Sequence, residues 1–432
     1  MSSNCPYTLP LREKKALLNF KVPLVRKINL SDFKTADHRI LRDINEVIVL
    51  NIIRERQPIP RVSIAEITGL EEGTISRIIH RFLRQGLVYE SGVGASTPAG
   101  GRKPRFVHIN PSKRCAIGID VGPIETLLAL SDLNGHLQRV KRIPNSRNPV
   151  QLLETVAEQT LALTRQANPH SELGGVGVSL VGLVDHETGS ICEAQSLGWG
   201  KRIEVGNILK SKLGDIPLYF DNGARLSALG EIWFGTTHLS GFRDVVFIEV
   251  SEGIGTGVIV NGQLYRGAHN GAGEFGHVCV DSTGPKCACG SQGCLEVFAS
   301  DLATVERFLK KSQIKPNGRS GNSRVDMAAI VEMARDGRPE AVEALQETAQ
   351  YLGLGLAPII YGLNPEAIVI GGTIAEAWDL VEQDIRTACA RRVSPLLLEN
   401  TKIFPSTLHV RPSLMGAIAL VLAQSFAAPK TV

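Results

Sequence analysis

Residues 253–296 read GIGTGVIVNGQLYRGAHNGAGEFGHVCVDSTGPKCACGSQGCLE, and they gather His277, Cys287, Cys289 and Cys294 within eighteen positions. One imidazole and three thiolates form a soft donor set that suits tetrahedral zinc. Cys287-x-Cys289 is a tight pair, Gly290 and Gly293 let the chain turn back on itself, and Cys294 returns as the third thiolate. Four protein ligands close the coordination sphere, which marks a structural ion rather than one that activates water. Two other readings compete: buried or free cysteines beside an unrelated histidine, and disulfides. The chain has eight cysteines but no signal peptide and no 18-residue apolar run, so a reducing cytoplasm and metal ligation are expected, with no membrane partner.

Ahead of the cysteines stands Glu-x-Gly-His, Glu274 to His277, and the stretch closes as Cys-x-Cys-Gly-x-x-Gly-Cys-x-Glu, Cys287 to Glu296. Behind the glycine-rich run Gly253 to Gly273, these motifs resemble the signature of the ROK family, which joins bacterial sugar kinases to sugar-responsive transcriptional repressors. The resemblance implies that Glu274, His277 and Glu296 face sugar hydroxyls and that zinc holds the loop presenting them. His277 can serve both purposes, because one ring nitrogen can bind metal while the other makes a directed hydrogen bond. Carboxylates and imidazole suit polyols because they accept or exchange hydrogen bonds at fixed directions.

At 432 residues the chain exceeds one compact core, and two or three domains are expected. Its formal charge of +4 hides an asymmetry: residues 1–105 carry 18 Lys and Arg against 10 Asp and Glu. A basic head on a mildly acidic body points the head toward nucleic acid. Residues 1–41 show no steady period and read as a basic N-terminal arm. From Asp43, Ile44, Val47, Ile48, Leu50, Ile52 and Ile53 recur at helical spacing up to Pro58. Ser63 with Glu66 reads as a capping box for a short helix through Thr68, and Gly69 supplies the turn. A second helix over 71–84 sets Ile75, Ile78, Ile79, Phe82 and Leu83 on one face and Thr74, Ser76, Arg77, His80 and Arg81 largely on the other. That is helix-turn-helix grammar, with the polar face of the second helix suited to a DNA major groove. Gly86 then opens a strand, the start of a winged variant, and Asn45 to Glu90 resembles the heads of ROK repressors. Arg77, His80 and Arg81 are candidates for base or phosphate contact. Residues 91–104, SGVGASTPAGGRKP, have the composition of a flexible linker, in which Arg102 and Lys103 are similar to basic arms of the minor groove or belong to an ordinary charged linker.

The body opens as a hairpin, Cys115 to Gly122 followed by Leu127 to Leu130, and it resembles the start of the actin/hexokinase fold. In ATP-using members the hairpin turn carries small hydroxylated or basic residues, whereas this chain has Pro123-Ile124-Glu125, which removes donors and adds negative charge. A second departure lies in Asp221-Asn222-Gly223-Ala224-Arg225. ROK kinases place Asn-Asp here, the Asp being the general base. Counted back from Glu231, Asn222 falls on the Asn and Gly223 on the Asp, so no carboxylate holds the catalytic position. Asp221 regains it only if the turn is threaded differently.

The expected protein is therefore α/β: an actin/hexokinase-like two-lobed body with an N-terminal winged helix-turn-helix domain. Its expected parts are the arm (1–41), the DNA-binding domain (42–92), a linker (93–113) and a sugar-binding body with a zinc loop (114–432). The expected function is a DNA-binding regulator, most simply a repressor released from a double-stranded operator by a sugar or sugar phosphate held by Asn222, Glu274, His277 and Glu296. No catalytic residue is assigned, the cofactor is zinc, and a homodimer or higher homo-oligomer is expected. The alternatives are a sugar kinase that also binds DNA, and a zinc-stabilised DNA-binding protein without a ligand.

Overall fold

The computed structural model describes residues 38–93, 105–193, 197–199, 202–235, 239, 241–313, 325–408 and 411–426. The chain divides into two units, residues 1–46 with 428–432 and residues 47–427. The first is described only over 38–46, the opening turns of helix α1, and the second holds every other described residue.

The head consists of α1 (His38–Arg56), β1 (Ile59–Pro60), α2 (Arg61–Thr68), α3 (Glu72–Gln85), β2 (Val88–Val93) and β3 (Arg105–Ile109). Helix α2 stops at Gly69 and α3 at Gly86, both left-handed at φ 67° and 69°, a conformation glycine adopts without a Cβ clash. Two sequence expectations fail here. Helix α2 begins at Arg61 with Pro60 at its N-cap and no side-chain cap, so Ser63 lies inside the first turn rather than ahead of it. Pro60 stands there in an extended conformation, φ −78° and ψ 153°, and the helix starts after it without a capping hydroxyl. The stretch 93–113 is not wholly a linker, because β3 pairs with both β1 and β2 and completes the winged sheet in the order β1-β3-β2. The Asn110 side chain donates to Gly86 O at 2.8 Å, and Ile109 N donates to the Gln57 side chain at 2.8 Å.

From β3 the chain passes through a short turn, Pro111–Lys113, into the body. The first lobe holds β4 (Arg114–Val121), β5 (Glu125–Asp132), β6 (Leu137–Pro144), α4 (Pro149–Gln166) and β7 (Glu172–Leu180). A small sheet of β8 (Leu183–Asp185), β9 (Ser190–Glu193) and β10 (Ile203–Glu204) follows, then α5 (Val205–Leu213), β11 (Leu218–Asn222) and α6 (Gly223–Phe234). The second lobe has β12 (Val245–Val250), β13 (Ile254–Val260), β14 (Gln263–Leu264), α7 (Glu296–Ala299), α8 (Asp301–Lys311), α9 (Met327–Arg335) and α10 (Pro339–Leu363). It continues with β15 (Ala367–Gly372), α11 (Thr373–Glu376), α12 (Trp378–Ala390), α13 (Pro395–Asn400) and β16 (Lys402–Pro405), and α14 (Pro412–Phe426) closes the chain.

The two five-stranded sheets share one topology, β6-β5-β4-β7-β11 and β14-β13-β12-β15-β16. In each, three antiparallel strands are followed by two parallel ones, the doubled sheet of the actin/hexokinase fold. Helix α14 packs on the first sheet so closely that a Cβ on Gly177 would stand 1.9 Å from Ala417 O, and one on Gly416 would stand 1.7 Å from Leu226 O of α6. Only glycine permits that approach. One apolar core runs through head and first lobe alike, from Val49, Ile53, Ile75 and Val107 to Leu127, Leu133, Ile418 and Phe426. A tethered head would have a core of its own; this one is welded to the sheet beneath it.

Candidate functional site

Helix α3 turns its apolar residues inward, with Ile75, Ile78, Ile79 and Phe82 buried. The opposite face carries Arg77 and His80 exposed, with Thr74, Ser76 and Arg81 half-buried. Arg77 Nη2 lies 3.0 Å from Thr74 Oγ1, one turn earlier, which orients the guanidinium along the helix. Glu71 and Glu72 at the helix start disfavour phosphate there, so the basic middle of α3 is the part suited to DNA. Arg61 of α2 donates to Glu90 of β2 at 2.9 Å and braces helix against wing. Arg102 and Lys103 lie outside the described residues.

In the second lobe a single 3₁₀ turn, Phe275–His277, delivers His277 to a hairpin carrying the cysteines. Cys287 N donates to Ser291 O at 2.8 Å and Gly290 turns at φ 90°. A Cβ on Gly293 would stand 1.7 Å from Asp281 O, so the hairpin closes only over glycine. The ligand atoms of His277, Cys287, Cys289 and Cys294 all lie within 4.8 Å of one another and form a set that can hold a metal ion. Cys289 Sγ to Cys294 Sγ is 3.7 Å and Cys287 Sγ to His277 Nδ1 is 3.6 Å. Bonds of about 2.3 Å to sulfur at tetrahedral angles place neighbouring donors roughly 3.7 Å apart, whereas a disulfide needs about 2.05 Å. Burial pushes the Cys294 thiol up to about 12 and raises that of Cys287, while the Ser291 amide lowers that of Cys289. A cation among them offsets the desolvation that holds the buried pair neutral. Cys279, in the same stretch, is exposed and outside this set.

Of the sugar candidates, His277 belongs to this cage, Glu296 borders it and Glu274 heads the turn that bears His277. With Nδ1 turned to the sulfurs, His277 keeps Nε2 for a second partner. Glu296, at the start of α7, accepts from Ile254 N at 3.0 Å through Oε2, with Oε1 3.8 Å from Cys287 Sγ. Glu274 is exposed at the head of the 3₁₀ turn. Asn222 is held mainly by backbone, since its Oδ1 accepts from Ala224 N and Arg225 N, capping α6, and its Nδ2 donates to Gly182 O at 2.9 Å. One amide hydrogen remains for a ligand.

Sequence reading missed what surrounds Asn222. Asp221 is fully buried and lies 2.8 Å from Arg225 Nε and 2.7 Å from Arg266 Nη2. Arg225 Nη1 also donates to Asn270 O at 2.9 Å, so the loop leading to Glu274 is tied to the turn bearing Asn222. With one oxygen on Arg225, the other on Arg266 and no exposed surface, the Asp221 carboxylate is not presented to a substrate, which argues against it as a substitute base. The Asp-x-x-x-Arg spacing from Asp221 to Arg225 was visible in the sequence; Arg266 had no local signal.

The hairpin turn between β4 and β5 is likewise occupied. Arg411 Nη1 lies 3.3 Å from Asp120 Oδ2 and Nη2 lies 3.1 Å from Glu125 Oε1, while Arg142 reaches Glu125 at 2.8 Å. A guanidinium held by two carboxylates sits at the hairpin turn where the resemblance to ATP-using kinases implies a nucleotide phosphate. Gly223→Asp is therefore expected to leave ATP-dependent phosphorylation of glucose at background in an ADP-release assay. Its Cβ would meet Ser179 Oγ at 3.3 Å, and the hairpin turn stays occupied. Turnover above background would show that the turn opens.

A winged helix-turn-helix welded to a doubled-sheet body with a thiolate cage defines a class of protein that reads DNA and carries a kinase-like sugar lobe. The ROK family description matches residues 116–424, and the chain belongs to that family. It is 31% identical to a xylose repressor of Bacillus spizizenii, over 90% of this chain and 97% of the relative. The crystal structure of a ROK family transcriptional regulator, described as a homolog of the E. coli MLC protein, superposes with a TM-score of 0.73 at 24% identity, covering 90% of this chain and 97% of that one. A ROK family glucokinase from Streptomyces griseus, in complex with glucose and AMPPNP, gives 0.61 at 27% identity and covers 71% of this chain and 98% of its own.

Proposed function

We propose that this chain is a sugar-responsive transcriptional repressor that leaves its operator when a sugar or sugar phosphate fills the cleft. The observation that carries it is the union of an exposed recognition helix with a kinase-type body whose base position is Gly223 and whose neighbouring carboxylate along the chain, Asp221, is clamped by two arginines. The 31% identical relative is named for repression linked to xylose, which makes D-xylose the first ligand to try. Thr74, Ser76, Arg77, His80 and Arg81 meet the operator, with Arg102 and Lys103 reaching the minor groove, and the DNA-binding domain ends near residue 92 or, with β3, near residue 109. Glu274, His277 and Glu296 hold the sugar, with Asn222 orienting the helix beneath it. Zinc held by His277, Cys287, Cys289 and Cys294 supplies no reaction chemistry and fixes the loop. The protein works in the cytoplasm as a homodimer, so two heads meet two half-sites. Among the described residues no helix is long and apolar enough to cross a membrane.

A ligand shifts the protein only if it prefers one state, so the sugar must bind the DNA-releasing arrangement more tightly. Fluorescence anisotropy on DNA from upstream of the gene, titrated at fixed salt with D-xylose, D-glucose, N-acetylglucosamine and hexose 6-phosphates, tests this. One compound is expected to release the DNA. Glu274→Ala should abolish release while keeping operator affinity, and Arg77→Ala should weaken the operator roughly 5- to 150-fold, the equivalent of about 1–3 kcal/mol per base contact. Release of the Glu274→Ala variant at wild-type sugar concentration would overturn the pocket, and the absence of specific DNA binding would overturn the regulator.

A further inference from the structure

Helix α6 has one end in the sugar site and the other under the DNA-binding head. Asn222 caps its first turn, and Asp221, one residue before that, is clamped by Arg225 and Arg266. Twelve residues later, about 18 Å along the axis, its last turn presents Trp233 and Phe234. The Arg54 guanidinium of α1 lies 4.1 Å over the Trp233 ring and 5.6 Å from that of Phe426, and the two rings meet edge-on at 5.7 Å.

Between its ends the helix is gripped from both lobes. A Cβ on Gly257 of β13 would stand 2.5 Å from Ala224 O, so the second-lobe sheet touches the α6 backbone directly. Helix α14 touches the backbone from another side at Gly416. Glu231, buried near the far end, accepts from Ser406 Oγ at 2.6 Å and from Thr407 N at 3.0 Å, residues that follow β16 of the second lobe. A body packed this tightly does not deform smoothly; when the second lobe moves on a ligand, α6 moves with it.

Arg54 has little else to hold. Its Nη2 reaches Glu55 at 3.0 Å, but its Nε is buried without a hydrogen-bond partner among the described residues. A buried donor left unsatisfied at a joint depends on the ring beneath it for its stabilisation.

We propose that Trp233 is the positioning residue that carries the sugar signal to the DNA-binding head, through its stack on Arg54. This rests on the sugar-responsive function proposed above. Movement of α6 shifts the indole, and Arg54 takes α1, and with it the recognition helix, to a new angle. Trp233 touches neither DNA nor sugar; it sets the coupling between them.

The test separates binding from coupling in the full-length, zinc-loaded protein. Operator affinity is measured by anisotropy with and without D-xylose or the releasing sugar of the panel, and sugar affinity by calorimetry. Trp233→Leu is expected to bind sugar and, without sugar, operator within about threefold of wild type, while the sugar-induced loss of operator affinity falls from about tenfold or more to under about twofold. Trp233→Phe, which keeps an aromatic face, should restore most of the response, and Arg54→Lys, which keeps the charge but not the planar stack, should lose it. A Trp233→Leu protein that binds sugar and releases DNA as wild type does overturns the proposal; if that variant fails to fold, Arg54→Lys decides by the same criterion. If no sugar acts on the wild type, the sugar-responsive function itself fails, and a double-mutant cycle of Asn222→Ala with Trp233→Leu on operator affinity decides the coupling alone. Additive effects overturn it, and a coupling factor above about threefold upholds it.

Discussion

Asp221→Ala is expected to destabilise the zinc-loaded protein by roughly 3 kcal/mol, the lower end of the loss that follows when one partner of a buried ion pair is removed. Asp221 is fully buried and the Arg225 side chain is 4% exposed, so the deletion strands a guanidinium with no route to water. Arg266 is 26% exposed and swings outward, which keeps the loss from reaching the top of the range. Asn222 N also loses its acceptor, Asp221 Oδ1 at 2.8 Å, at the turn that starts α6. Urea unfolding at neutral pH measures the effect, with Asp221→Asn as the isosteric control that removes charge but retains shape. A loss below about 1 kcal/mol for the alanine variant would mean that both arginines find other anions, and Asp221 would then not be their principal counter-ion.

The contrast between the cage and this clamp explains what the sequence could disclose. His277, Cys287, Cys289 and Cys294 lie within eighteen positions, so residue type and spacing suffice to propose a joint ligand set. The head helices were legible for a similar reason, since apolar period and the stops at Gly69 and Gly86 are local. Arg266 and Asp221 are 45 positions apart, and Arg411 and Asp120 are 291 apart; no period links such pairs, and only the fold brings them together. Strand β3 escaped for another reason. The Gly, Ser and Pro of 91–104 are a signal of composition and say nothing of whether 105–109 will pair with β2. Asn222 is a site candidate from the family motif alone, and its place at a strand end makes it the cap of α6.

Both departures from a kinase are chemically consistent. Losing a base at Gly223 would leave a bound sugar unreacted, and the Arg411 guanidinium at the hairpin turn is already engaged by Asp120 and Glu125. A sugar bound under those conditions could be read out only as movement. In the first lobe that movement meets a core continuous with the head, so little of it is lost in a linker.

Cys294→Ser is expected to lower bound zinc from about one ion per chain to below about 0.2, measured by plasma emission spectrometry after dialysis against a chelator. Cys294 is the most deeply buried of the four donors, at 0% exposure, and a hydroxyl in its place is a hard, neutral ligand where a soft thiolate is needed. Without the ion the hairpin has only Cys287 N to Ser291 O and its neighbours to hold it, and Glu296, 3.8 Å from Cys287 Sγ, loses the support of the cage. Sugar affinity should therefore fall about 10- to 100-fold, the scale seen when the residues supporting a metal site are disturbed. Operator affinity without sugar should stay within about threefold, because the head shares its core with the first lobe and not with the zinc loop. Sugar affinity unchanged in a zinc-free variant would sink the cage as the support of the sugar site. Loss of DNA binding together with zinc would show that the loop stabilises the whole body, and the separation of roles between the lobes would fall.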